Sequence, residues 1–66
     1  MNFNYMKDFI KVVEYKSLNK ASRELNISTP ALSKRIRSIE DYFDCNLFYR
    51  TSKGIFLTQK GNAVYH

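Results

Sequence analysis

The sequence predicts a mainly α fold, three helices followed by a two-stranded hairpin and the start of a fourth helix. Three observations predict it. Apolar residues recur at spacings of three and four in three successive segments between Asn4 and Asp44. Only about three residues separate the second segment from the third, too few for anything but a tight turn. Two short β-prone runs then flank a polar stretch that ends in Gly54, the pattern of a hairpin. At 66 residues the chain holds one small domain. A chain of this size buries only about 60% of its unfolded surface, so its core must be compact.

The first helix is expected from Asn4 to Lys16, with Met6, Phe9, Ile10 and Val13 on its apolar face. Ser17 offers a hydroxyl cap to a short second helix through Leu25, whose Leu18, Ala21 and Leu25 share a side. Asn26 tolerates a left-handed backbone and ends it. Ser28-Thr29-Pro30 opens the third helix, because proline in a first turn gives up a donor that has no partner there anyway. Its stripe is Leu32, Ile36, Ile39 and Phe43, and it ends near Asp44. The hairpin spans 47–57, from Leu47 through Arg50 and back through Ile55 to Leu57. Thr58 can cap a last helix that begins Gln59-Lys60. Helix, helix, tight turn, longer helix, hairpin: that order is a winged helix-turn-helix.

Composition narrows the function. The formal charge is +5 and the isoelectric point near 9.6, which suits a polyanionic partner without proving one. One cysteine, Cys45, rules out an internal disulfide and is compatible with a reducing cytoplasm. No apolar run approaches the ~20 residues of a membrane span, and the N-terminus has no signal-peptide pattern. Cys45 and His66 cannot complete a four-ligand metal site, and Gly54 and Gly61 are too isolated for a phosphate loop. Cys45 reads as a small core residue and His66 as a terminal one. Phe9, Phe43 and Phe48 fall on apolar faces, which favours core packing over base stacking. Neither an enzyme nor a cofactor or metal is expected.

With Leu32 at the centre of the buried face, Thr29, Pro30, Ser33, Lys34 and Arg37 point outward, at about 100° per residue. Small hydroxyls near a helix N-terminus can approach base edges, while Lys34 and Arg37 can meet bases or phosphates. Glu40, Asp41 and Asp44 stand at the other end, where they oppose the helix dipole and would repel phosphate. The helix should therefore enter a major groove by its N-terminal end. Taken alone, Lys34, Arg35 and Arg37 would be a solvated helix face. Their position on the second helix of a helix-turn-helix turns the reading toward DNA. In the hairpin, Arg50, Thr51 and Lys53 can rest on phosphates or in a minor groove, although a polar β-turn has the same composition. Ser17 and Lys20 can touch phosphates, though Ser17 is equally explained as a cap. A winged helix can also serve as a protein-interaction module, which would need an apolar, salt-tolerant face. An RNA-binding module would need a stacking surface that is missing here.

The residues that carry a family resemblance are Phe9, Ser17-Leu18, Ala21 and Leu25-Asn26-Ile27-Ser28, then the run from Thr29 to Ile36 and Ile39-Glu40. Leu47-Phe48-Tyr49-Arg50-Thr51 and Leu57-Thr58-Gln59-Lys60-Gly61 continue it. Together they resemble the N-terminal DNA-binding domain of the LysR-type transcriptional regulators over almost the whole chain. The resemblance implies a bacterial, cytoplasmic regulator that binds double-stranded DNA as a homodimer or tetramer. It implies a recognition helix over 28–43 with contacts at Thr29, Ser33 and Lys34, and a wing contacting DNA through Arg50, Thr51 and Lys53. It divides the chain into a domain over 1–58 and the start of a dimerising linker helix over 59–66, with a domain for a small-molecule effector expected beyond it. Two positions depart from the family pattern. Thr29 stands where glutamine is common, which removes a bidentate partner for adenine, and Asp44 stands near a common glycine.

Overall fold

The computed structural model describes residues 3–66; Met1 and Asn2, at the start of the expected domain, lie outside the described residues. Helix α1 runs Phe3–Tyr15 and ends where Lys16 takes a left-handed conformation (φ 55°). Ser17 then caps α2, Leu18–Glu24, its hydroxyl accepting from the Lys20 amide. Leu25 closes α2, and Asn26 turns the chain at φ 60°. Ser28 caps α3, Thr29–Phe43, by accepting from the Ala31 amide, with Pro30 in the first turn. Asp44, left-handed at φ 55°, ends α3 in the place where a glycine is the usual solution.

The hairpin pairs β1, Phe48–Thr51, with β2, Gly54–Leu57, antiparallel, from Phe48 opposite Leu57 to Thr51 opposite Gly54. Ser52 and Lys53 make the turn. Alternation along a strand puts Phe48, Arg50, Ile55 and Leu57 on one face and Tyr49 and Phe56 on the other. The first face meets the helices: Phe48 and Ile55 are buried, and the Phe48 ring lies 5.2 Å from Phe9. The Ile55 amide donates to the Lys16 carbonyl, which attaches the hairpin to the α1–α2 turn. Gly54 (φ 143°) is required there, since a Cβ would sit 2.6 Å from that same carbonyl oxygen. Thr58 caps α4, Gln59–Tyr65, and its hydroxyl donates to the Asn46 carbonyl.

The core gathers at the junction of α1, α2, α3 and the inner hairpin face, with Phe9, Leu32, Ile39 and Leu47 essentially sealed from solvent. Two expected core residues are not in it. Ile10 is 42% exposed, while Val12, which the apolar stripe omitted, is fully buried. The buried face of α1 is shifted toward Asp8 and Val12 from the one its apolar residues mark, with Phe9 common to both and Met6 and Val13 packed at its edge. The reason is Asp8, which is only 2% exposed because an arginine on α3 meets it. Phe43 has the right angular position but is 36% exposed. The chain reverses at Asp44, so the last turn of α3 projects past the core. There Phe43 packs edge-on against Tyr42.

Candidate nucleic-acid interface

Leu32, Ile36 and Ile39 face inward from α3, and this sets every other side chain of the helix. Pro30, Lys34 and Arg37 are exposed on the opposite side. Thr29 and Ser33 lie on the flank between, half-buried, each already engaged. The Thr29 hydroxyl donates to Asn19 Oδ1 (3.0 Å) and lies 3.0 Å from the Ser22 hydroxyl. It thereby fastens the first turn of α3 to α2. Ser33 Oγ accepts from Arg50 Nη2 at 3.5 Å, a long contact. Strand alternation explains it, because Arg50 shares the inner hairpin face with Phe48.

Arg35 separates from its neighbours in sequence. Its Nη1 donates to Asp8 Oδ2 at 3.1 Å, and its guanidinium lies 5.6 Å from the centre of the Tyr5 ring. The run Lys34, Arg35, Arg37 is thus divided between an outward pair and one arginine turned toward α1.

The hairpin residues Arg50, Thr51 and Lys53 are exposed, and the Thr51 hydroxyl also accepts from the Lys53 amide to shape the turn. They face the start of α2 across an open groove. Ser17, Lys20, Thr29, Arg50, Thr51 and Lys53 all line this groove. Its four cations are Lys16, Lys20, Arg50 and Lys53, and no carboxylate lines it. In a region free of negative charge these cations reinforce one another as an attractor for polyanions. Lys16 was not singled out from the sequence. Nothing local in the sequence marks it, because the Ile55 amide, far along the chain, is what binds its carbonyl and sets it in the groove. The carboxylates collect elsewhere: Glu40, Asp41 and Asp44 line a recess with Arg37 at the far end of α3.

Glu40 has a role that its charge alone did not suggest. Its Oε2 accepts from the amides of Leu47 (2.8 Å) and Phe48 (3.3 Å), holding the start of β1 against α3. Among the described residues there is no group of three His, Cys, Asp or Glu placed to hold a metal ion. No helix among them is long and apolar enough to cross a membrane.

A tight turn between two packed helices, the second with cations outward, and a basic hairpin beside it define a winged helix-turn-helix. The family model described as bacterial regulatory helix-turn-helix protein, lysR family, matches residues 3–62, and the chain belongs to that family. It is similar to the nitrogen assimilation regulatory protein nac of Klebsiella aerogenes, 37% identical over 65 residues, which are 98% of this chain and 21% of that protein. A transcriptional regulator of Methanocaldococcus jannaschii is 39% identical over 62 residues, 94% of this chain and 21% of that one. The chain thus spans about a fifth of the length of the curated relatives it matches. Among solved structures it resembles the BenM DNA-binding domain in complex with catB site 1 DNA. The TM-score is 0.92 at 32% identity, over 98% of this chain and 73% of that one. Full-length CbnR in complex with its target DNA gives 0.90 at 31% identity, over 97% of this chain and 22% of that one.

Proposed function

We propose that the chain is the DNA-binding headpiece of a bacterial transcription regulator, with the N-terminal half of α3 in a major groove and the hairpin on the adjacent backbone. The observation that carries this is the carboxylate-free groove lined by Lys16, Lys20, Arg50 and Lys53, which reaches α3 at Thr29, on a helix whose Lys34 and Arg37 are exposed, so that cations are offered to both phosphates and bases. Lys34, Arg37 and Pro30 meet the groove floor. Lys16, Lys20, Arg50, Thr51 and Lys53 track phosphates, with Ser17 at the same contact. Thr29 and Ser33, engaged as they are, act mainly by their position and by the lone pairs left to them. The fold over 1–58 is the headpiece, and 59–66 begins a helix that pairs two subunits. The expected assembly is a homodimer, or a tetramer built from it, in the bacterial cytoplasm. It has no catalytic activity of its own and takes its small-molecule effector in a domain beyond this chain.

The test is fluorescence anisotropy of the chain with duplex DNA at several salt concentrations. Each phosphate neutralised contributes about 0.9 to the slope of log K against log salt, so several contacts make binding steeply salt-dependent. Lys34→Ala should either lower affinity for every duplex or relax one base position, at unchanged melting temperature. Binding that ignores salt, or no binding at low salt, would return the fold to the protein-interaction reading.

A further inference from the structure

We infer that the Asp8–Arg35 ion pair is a positioning device for the DNA-reading face of α3, an inference that rests on the function proposed above. Helix α3 is held on both flanks. Counting from the inward Leu32 at about 100° per residue, Arg35 lies roughly 60° to one side and Glu40 roughly 80° to the other. Glu40 ties its flank to the β1 amides and Arg35 ties the opposite flank to Asp8 on α1. Burial of Leu32, Ile36 and Ile39 sets which side of the helix is dry but is non-directional, so it specifies the angle less sharply than a directional bond does. A hydrogen-bonded ion pair is directional and fixes an angle. Asp8 is 2% exposed and its Oδ2 receives Arg35 Nη1 at 3.1 Å, while the Tyr5 ring covers the guanidinium from the side.

The angle matters because of leverage. Side chains reach about 5–6 Å from a helix axis, so a 20° turn of α3 moves the tip of Lys34 by roughly 2 Å. Contacts to base edges tolerate about 0.5 Å. Phosphate contacts made by flexible lysines and arginines follow the displacement, so general affinity survives while base discrimination falls. Arg35 therefore contributes to selectivity without touching DNA, and so does Asp8, which is shut off from it.

The experiment separates angle from stability. Asp8→Leu/Arg35→Met removes the pair at constant net charge, and replacing a buried pair by apolar groups of similar volume is commonly neutral or stabilising. The unsubstituted chain and the double variant are each equilibrated with a pool of duplexes carrying ten randomised base pairs, and the bound fraction is sequenced. Melting temperature and the salt slope on an arbitrary duplex are measured alongside. The expected result is an unchanged salt slope, a cooperative melt, and a drop of about 5- to 150-fold in the ratio of preferred to arbitrary duplex, the value of one base contact. Discrimination within twofold of the unsubstituted chain overturns the inference. So does a salt slope lower by about 0.9, which would make Arg35 a phosphate contact itself. If the double variant does not melt cooperatively, Asp8→Asn, which leaves Arg35 in place, replaces it, and discrimination within twofold of the unsubstituted chain again overturns the inference. An unsubstituted chain with no base preference removes the proposed reading itself, and the positioning role falls with it.

Discussion

Removing the Glu40 carboxylate should loosen the hairpin from α3, and the size of the effect follows from its two hydrogen bonds. One oxygen, half-buried, accepts from the Leu47 and Phe48 amides at 2.8 and 3.3 Å, and both of those residues are buried. A hydrogen bond to a charged group contributes about 1.5–3 kcal/mol, and the longer one falls below that range. Glu40→Ala leaves both amides without their acceptor and should cost about 2–4 kcal/mol. A chain of this length has a total stability of roughly 3–10 kcal/mol, so the loss is a large fraction of it. At about 4–8 °C per kcal/mol for a domain of this size, the melting temperature should fall by roughly 10–30 °C. Glu40→Gln keeps a carbonyl acceptor and should lose about 1 kcal/mol. Asp41→Ala, one residue along and exposed, should change stability by less than about 0.5 kcal/mol. Thermal and urea unfolding followed by far-UV circular dichroism give all three values. If Glu40→Ala melts where Asp41→Ala does, the carboxylate does not hold the hairpin and the two amides have another partner.

Leu32→Ala should cost about 2–5 kcal/mol by opening a cavity under the centre of α3, whereas Ile10→Ala should cost only about 1, since Ile10 is 42% exposed. Equal losses in urea unfolding would mean that α1 packs by the face its apolar residues mark. Gly61→Ala would drive a methyl group into the Leu47 carbonyl oxygen, a backbone atom that cannot swing aside. It should cost about 1–3 kcal/mol and lift α4 from Leu47 and β2, detected as loss of the nuclear Overhauser contact between Tyr65 and Phe9. A Gly61→Ala chain that keeps that contact and its melting temperature would show that α4 is not seated on this carbonyl.

Every element of the fold was legible in the sequence, because its signals are local. The Ser17, Ser28 and Thr58 caps and the left-handed Asn26 act over three or four residues, and each forms as its chemistry predicts. The outward placement of Lys34 and Arg37 followed as well, since Leu32, Ile36 and Ile39 are enough to fix which side of α3 is dry. What only the tertiary structure decided depends on partners far along the chain. Asp8 is buried because Arg35, 27 residues later, neutralises it, and that pairing rotates α1 and exposes Ile10. Thr29 is engaged by Asn19, Glu40 by the first amides of β1, and Lys16 joins the basic groove only because Ile55 binds its carbonyl. Hydrophobic periodicity reports which residues avoid water, whereas a polar side chain's role depends on the one group it meets, and that group is set by the packing.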